Sequence, residues 1–340
     1  MSAGLAPFGL QMIRRAGGIL NIHRVASQPI LKAAVVGAGV FGRHHASKYQ
    51  SIPGVELIGI ADPDEAARAK AASALGVPGH ADWRELLGKA DLVSICSPAV
   101  THAELVRGFL SHDSHVLVEK PIATNVEDGE HLIALARMRG LVLTVGHQER
   151  YVVAGGGLLD INEAPRVVEC VREGSWTGRG TDVSVVLDLM IHDLDLVHAL
   201  VPGQVSDMNA EGQFVYGQSH DAVNAHIVFA NGTAVHLTAS RAAKERKRLL
   251  RLAYRGGGEI VIDFLARQVR NTTKARLKPL DLTDPLADSI GGFVAAVRLG
   301  APVLVRPEEA LCALKTALLV EDALVPAAVA HKHRALRRTA

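Results

Sequence analysis

The chain has 340 residues, 48% hydrophobic, 21% charged and 4% aromatic, with 32 Gly and 14 Pro. That length suits two domains with separate cores, and the composition excludes a disordered, collagen-like or linker sequence. With 37 Lys+Arg against 35 Asp+Glu the formal net charge is +2, which offers no global field to nucleic acid or an anionic membrane.

The few aromatics also weigh against base-stacking platforms, and no run approaches the roughly 18 apolar residues of a transmembrane helix. Cys96, Cys170 and Cys312 are too far apart for a disulfide framework or a metal cluster. They read as reduced thiols in a cytoplasm, with Cys96 and Cys312 in apolar surroundings as small hydrophobes.

Residues 1–30 lack Asp and Glu, and Arg14-Arg15 precede only a short apolar run, 16–20. The longer stretch and cleavage site of an export signal are missing. The segment reads as a flexible extension or the product of an upstream start codon, with an organelle transit peptide as the other reading. It is set aside from the fold.

From Leu31 short apolar runs alternate with helical patterns. Strands are predicted at 31–36, 55–60, 91–96, 115–118 and 141–145, and helices at 43–50, 64–75, 83–87, 101–110 and 125–139. This is the rhythm of an α/β doubly wound parallel sheet, a Rossmann domain over 31–148. The second half, 149–324, predicts strands at 165–172, 205–216, 223–229, 233–240, 249–254 and 259–264. Asn231-Gly232 predicts a hairpin with both turn residues at positive φ, and Gly256-Gly257-Gly258 another turn. A helix at 187–200 and two more at 285–299 and 307–323 complete an α+β domain with an open, mainly antiparallel sheet. Residues 325–340 read as a C-terminal tail. The basic run from Arg241 to Arg251 reads as a solvated strand face or subunit rim.

Gly37-Ala-Gly39-Val40-Phe41-Gly42 follows the first strand and opens the first helix. Gly37 permits the tight turn, Gly39 lets backbone approach a pyrophosphate, and Gly42 lets helix and strand pack closely. The helix N-terminus presents free N–H groups to phosphates. Asp62, about 20 residues on, suits the adenosine ribose hydroxyls and repels a 2′-phosphate, so NAD is expected over NADP. The competing reading is a helix-capping Asp in a fold that binds no nucleotide.

Ser97-Pro98 follows the strand at 91–96 and would lie beside a nicotinamide, and His102 either lines the same crevice or is a polar residue at a helix start. Glu119-Lys120-Pro121 follows the next strand. Lys120 is either a cation that stabilises a developing alkoxide or half of a surface Glu–Lys pair. On a helix, Asp188, His192 and Asp195 fall within about 60° of one another, a polar stripe on an apolar element. His192 can take a hydroxyl proton, and an acid one turn away can orient it or hold substrate; Asp193 lies off this face and reads as structural. The alternative is a self-satisfied polar network between domains. No metal is expected, because a further ligand is lacking. Arg150 and Arg179 are candidates for a substrate anion such as diphosphate.

Together Gly37-x-Gly39-x-x-Gly42, Ser97-Pro98…His102, Glu119-Lys120-Pro121 and Asp188-x-x-x-His192 resemble the Gfo/Idh/MocA oxidoreductases over residues 31–324. The resemblance implies NAD(P)-linked oxidation or reduction of a sugar or cyclitol carbinol. Lys120, His192 and Asp188 would then be catalytic, with Asp188 and His192 also binding substrate, and the loops with Glu119 and Lys120 would hold cofactor. It also implies a homodimer or homotetramer built through the second sheet. The segments 145–151 and 182–193 are similar to those of UDP-N-acetylglucosamine 3-dehydrogenases, which make a 3-keto nucleotide sugar. The alternatives are an inositol or simple sugar dehydrogenase and a non-catalytic dinucleotide-binding sensor or scaffold.

Overall fold

The computed structural model describes residues 29–178, 182–216, 219–281 and 283–324. Arg179, nearly all of the N-terminal extension and the C-terminal tail lie outside the described residues.

Runs apolar on both faces become central strands, because only a sheet covered by helices on each side buries them. Strands β1 (Leu31–Val36), β2 (Val55–Ala61), β3 (Gly79–His80), β4 (Leu92–Ile95), β5 (His115–Val118) and β6 (Leu143–Val145) form a sheet of order β3-β2-β1-β4-β5-β6, with every pair parallel. Helices α1 (Val40–Ser51), α2 (Glu65–Leu75), α3 (His102–Ser111) and α4 (Val126–Arg139) connect them. The chain leaves β1 in one direction and returns on its other side at β4, so the loops after β1 and β4 diverge and open a crevice at the carboxyl edge. Two differences from the sequence pattern concern short pieces. β3, with two residues, is too short to show periodicity, and the segment predicted as helix at 83–87 is a single 3₁₀ turn, Trp83–Leu86.

After α5 (Glu149–Gly155) the chain builds a second sheet from β7 (Val167–Glu173), β8 (Val205–Gln213), β9 (Ala222–Phe229), β10 (Ala234–Ser240), β11 (Lys247–Ala253), β12 (Glu259–Asp263) and β13 (Gln268–Asn271). Its order is β13-β12-β11-β7-β10-β9-β8, antiparallel except for the pair β7–β10. β13 is exposed at every position and carried no alternation to predict it. The β9–β10 connection has positive φ at Gly232 alone, with the Gly232 N–H donating to the Phe229 carbonyl. Asn231 instead accepts from the Thr233 N–H through its side chain, so the loop is a type I turn closed by a glycine bulge rather than the two-residue hairpin expected.

Helix α6 (Ile191–Leu200), preceded by a π turn at Val186–Met190, and helix α8 (Pro307–Leu324) cover one face of this sheet. Helix α7 (Pro285–Leu299) turns back to the first sheet. Its Leu286, Ile290, Phe293 and Val294 pack with Ala33, Leu57, Leu92 and Leu117, so a segment late in sequence completes the core of the first sheet. The larger core runs without a break from the other face of that sheet through α6 and α8 into the second sheet. No helix among the described residues is long and apolar enough to cross a membrane. Cys170 is buried, whereas Cys312, expected in apolar surroundings, is exposed on α8.

Candidate active site

The glycine loop has the shape its residues require. Gly37 has φ 98°, and a Cβ there would lie 2.6 Å from the Cys96 carbonyl oxygen. A Cβ on Gly42 would collide with the Gly37 carbonyl, while around Gly39 nothing lies within 4 Å of where one would sit. The α1 N-terminus beside that open position has no side-chain cap, which leaves its first N–H groups for an anion. Asp62 closes the loop by accepting the Ala38 N–H at 2.6 Å and the Asp64 N–H at 2.9 Å. This cradle fits a dinucleotide pyrophosphate, with the partly exposed Asp62 at the ribose end. Phe41 and Val100 are exposed at the helix starts beside it.

Glu119, expected among the cofactor contacts, turns inward. Its carboxylate accepts from His45 Nε2 at 3.1 Å, His45 Nδ1 lies 3.0 Å from Ser94 Oγ, and Tyr49 Oη lies 2.8 Å from the same hydroxyl. Every polar group in this chain of hydrogen bonds thus has a partner. A Cβ on Gly146 would come within 2.5 Å of Glu119 Oε1, so a glycine there is the condition for this buried carboxylate. Burial pushes the Glu119 pKa up, but the His45 hydrogen bond and nearby positive charge outweigh it and leave the group below its usual range. His102 also departs from expectation. It is buried, with ring nitrogens 2.7 Å from the Pro121 carbonyl and 3.0 Å from the Ser97 carbonyl. It braces the two loops that line the crevice and does not line it.

Lys120 does face the crevice. Its Nζ donates to the Asp188 carbonyl at 2.5 Å and to Asp188 Oδ1 at 3.0 Å, which leaves one of three N–H donors unspent. Asp188 reaches it from the π turn, where the sequence predicted regular helix; the irregular turn sits where the two sheets meet. His192, in the next turn, points Nδ1 at Glu149 Oε2, 3.0 Å away. Glu149 in turn accepts from Arg172 Nη1 at 2.9 Å, and Arg172 makes a two-point pair with Asp193. The side chains of Lys120, Asp188 and His192 keep 16%, 23% and 17% exposure, and because Asp188 and His192 lie one turn apart, the Lys120–Asp188 and His192–Glu149 pairs are neighbours. Burial drives the His192 imidazole down to about 4, aided by Arg172 and Lys120 and opposed by Glu149. Its neutral form therefore prevails at neutral pH, with Nδ1–H donating to Glu149 and Nε2 free to accept.

The predicted polar stripe therefore separates into three pairs: Asp188 with Lys120, His192 with Glu149, and Asp195 with Arg150. Asp195 is fully buried, and Arg150 meets it at 2.6 and 3.1 Å and reaches Glu309 at 3.0 Å. Arg150 is thus spent inside the protein and does not face a substrate anion. Asp195→Ala is expected to leave that guanidinium short of a partner and cost about 3–5 kcal/mol of stability, read as a lower Tm with NAD affinity unchanged.

Sequence reasoning missed Glu149 and Arg172. Glu149 lay in a segment already singled out, four residues past the end of β6 at the crevice edge. Arg172 stands in step with the buried Val168 and Cys170 of β7, a charge on an inward-facing position that asks for partners.

A family model described as "Oxidoreductase family, NAD-binding Rossmann fold" matches residues 31–147, and one for the GFO/IDH/MocA C-terminal domain matches 163–259. UDP-N-acetylglucosamine 3-dehydrogenase of Acidithiobacillus ferrooxidans is 32% identical over 286 residues, 80% of this chain and 90% of the relative. A solved structure of that enzyme superposes with a TM-score of 0.81, covering 87% of this chain and 98% of the other at 31% identity. The scyllo-inositol 2-dehydrogenase (NAD(+)) of Bacillus subtilis is 24% identical over 62% of this chain and 67% of its own length.

Proposed function

The chain belongs to the Gfo/Idh/MocA family of NAD-binding oxidoreductases, and on that footing we propose that it oxidises a secondary hydroxyl of a nucleotide sugar, UDP-N-acetylglucosamine to its 3-keto form being the leading case. The observation that carries this reading is the part-exposed Lys120 ammonium, held by Asp188, one helical turn from the His192 imidazole, held by Glu149. The likeness to the Acidithiobacillus enzyme supports the choice of substrate.

NAD, when bound, supplies the two-electron acceptor at its nicotinamide ring. Gly37, Gly39 and the α1 residues Val40, Phe41 and Gly42 would hold its pyrophosphate, Asp62 its ribose, and Ser97 and Pro98 the nicotinamide end. The remaining N–H of Lys120 donates to the substrate oxygen and stabilises negative charge as it develops. His192 Nε2 takes the hydroxyl proton, and the Glu149 carboxylate stabilises the imidazolium that results. Asp188 orients Lys120 and not the imidazole.

The test is turnover with NAD and a panel of UDP-sugars, free sugars and inositols, followed by reduced-nicotinamide absorbance and by mass spectrometry for a product two hydrogens lighter. Turnover of UDP-sugars over free sugars and inositols supports the reading. Preference for an inositol or free sugar replaces it with the simple-polyol alternative, and NAD binding without any turnover leaves a sensor. Asp62→Ala is expected to weaken NAD more than NADP, since the acceptor for the ribose hydroxyls and the charge that repels a 2′-phosphate go together. An unchanged preference in paired cofactor titrations overturns that assignment.

Three separate thiols suit a reducing cytoplasm. The helix-free face of the second sheet, where Asn224 and His236 are exposed, is the surface through which a homodimer or homotetramer would form.

A further inference from the structure

With Arg150 buried against carboxylates, the described residues offer another cation for the proposed substrate's diphosphate, on β11. Arg248 is in step with the buried Leu250 and Leu252, so it projects to the helix-covered side of the sheet. In the β7–β11 ladder it stands directly across from Arg172, and cross-strand neighbours lie roughly 5 Å apart at Cβ. Arg172 is the residue that holds Glu149, and Glu149 holds His192. Arg248 is therefore one lateral step from the network under the reacting imidazole.

Its own guanidinium is partly buried and makes no hydrogen bond or ion pair among the described residues. The nearest carboxylates, Glu149 and Asp193, are bonded to Arg172 and reach Arg248 only through space. Arg172 is matched by Glu149 and Asp193, Lys120 by Asp188, and Arg246, two residues away, adds a further exposed cation. Burial and the like charges of Arg172 and Arg246 push the Arg248 pKa below the ordinary value, against the opposing pull of Glu149 and Asp193. A part-buried cation beside other cations is destabilising unless an anion joins it. A guanidinium whose five donors meet no acceptor among the described residues is suited to a phosphate, which it can grip at two oxygens.

We propose that Arg248 is the anchor for the anionic part of the substrate, taking phosphate oxygens of a sugar-linked diphosphate so that the carbinol lies against Lys120 and His192. This deepens the nucleotide-sugar reading and rests on it. The basic run around Arg248 is then part of a binding site and not only a solvated strand face.

The test uses the full-length protein with R248Q and R248K. With UDP-N-acetylglucosamine as the varied substrate, R248Q is expected to raise KM about 10–100-fold, the loss of a charge-assisted contact, with a much smaller change in kcat; R248K should fall between. Calorimetric titration with UDP should weaken by a similar factor, while NAD affinity holds. The Tm of R248Q should not fall, because no hydrogen-bonded partner among the described residues is lost; a clear drop would reveal a structural role and overturn the anchor. Unchanged UDP affinity and KM in R248Q would do the same, even if both proteins oxidise the UDP-sugar and so support the reaction. Wild type that binds UDP through Arg248 yet oxidises no nucleotide sugar supports the anchor and overturns the reaction. Wild type that does neither overturns both.

Discussion

His192→Ala is expected to lower kcat about 10²–10⁴-fold, and Lys120→Ala about 10²–10³-fold, with NAD affinity retained in both. The two losses have different causes. Without the imidazole, the carbinol proton has no acceptor in the cleft, and water is a far weaker base at neutral pH. Without the ammonium, the oxygen builds charge beside the Asp188 carboxylate, which Lys120 otherwise neutralises across 3.0 Å. Because both groups act on one O–H bond, the double variant should lose much less than the product of the single losses. Neither residue belongs to the glycine cradle or Asp62, so the cofactor should still bind, measured by its effect on intrinsic fluorescence. Near-wild-type turnover of a UDP-sugar in both variants would remove them from the mechanism.

What the sequence disclosed here was local. Gly37, Gly39 and Gly42 are dictated by backbone crowding within a few residues, and Asp62 by the length of one β-α-β unit, so spacing alone carried them. Lys120 and Asp188 were both visible, yet their pairing depends on how the two sheets meet, and the π turn that delivers Asp188 has no periodic signature. Arg150 and Arg248 show the limit most clearly. Both are arginines near strand or helix ends, and their roles separate only when the carboxylates are placed: Arg150 finds Asp195 and Glu309, whereas Arg248 finds Arg172. The return of α7 to the first sheet was hidden for the same reason, since its apolar face would suit either core.

Glu149→Gln isolates the positioning of His192 from its chemistry. In the wild type the carboxylate accepts the Nδ1–H and fixes the tautomer with Nε2 open. A glutamine can turn its amide NH₂ to Nδ1 instead, which places the proton on Nε2 and blocks it as an acceptor; kcat is expected to fall roughly 10²-fold or more. The pH profile gives the sign. Glu149 raises the His192 pKa against burial, Arg172 and Lys120, which together hold it at about 4. Removing that negative charge, and with it one of the two carboxylates on Arg172, lowers the imidazole further. The acid limb of kcat/KM should therefore move to lower pH in E149Q while the plateau drops, although impaired catalysts are often assumed to need more alkaline conditions.

Stability follows the same sign. The folded His192 pKa lies below its ordinary 6.5, so its contribution is fully present above that value and is lost as pH falls toward about 4. In E149Q the window should extend lower. Arg172 keeps its two-point pair with Asp193, so the variant should fold and the comparison can be made. An acid limb that stays in place or moves upward, or a kcat equal to wild type, would show that Glu149 does not act through His192.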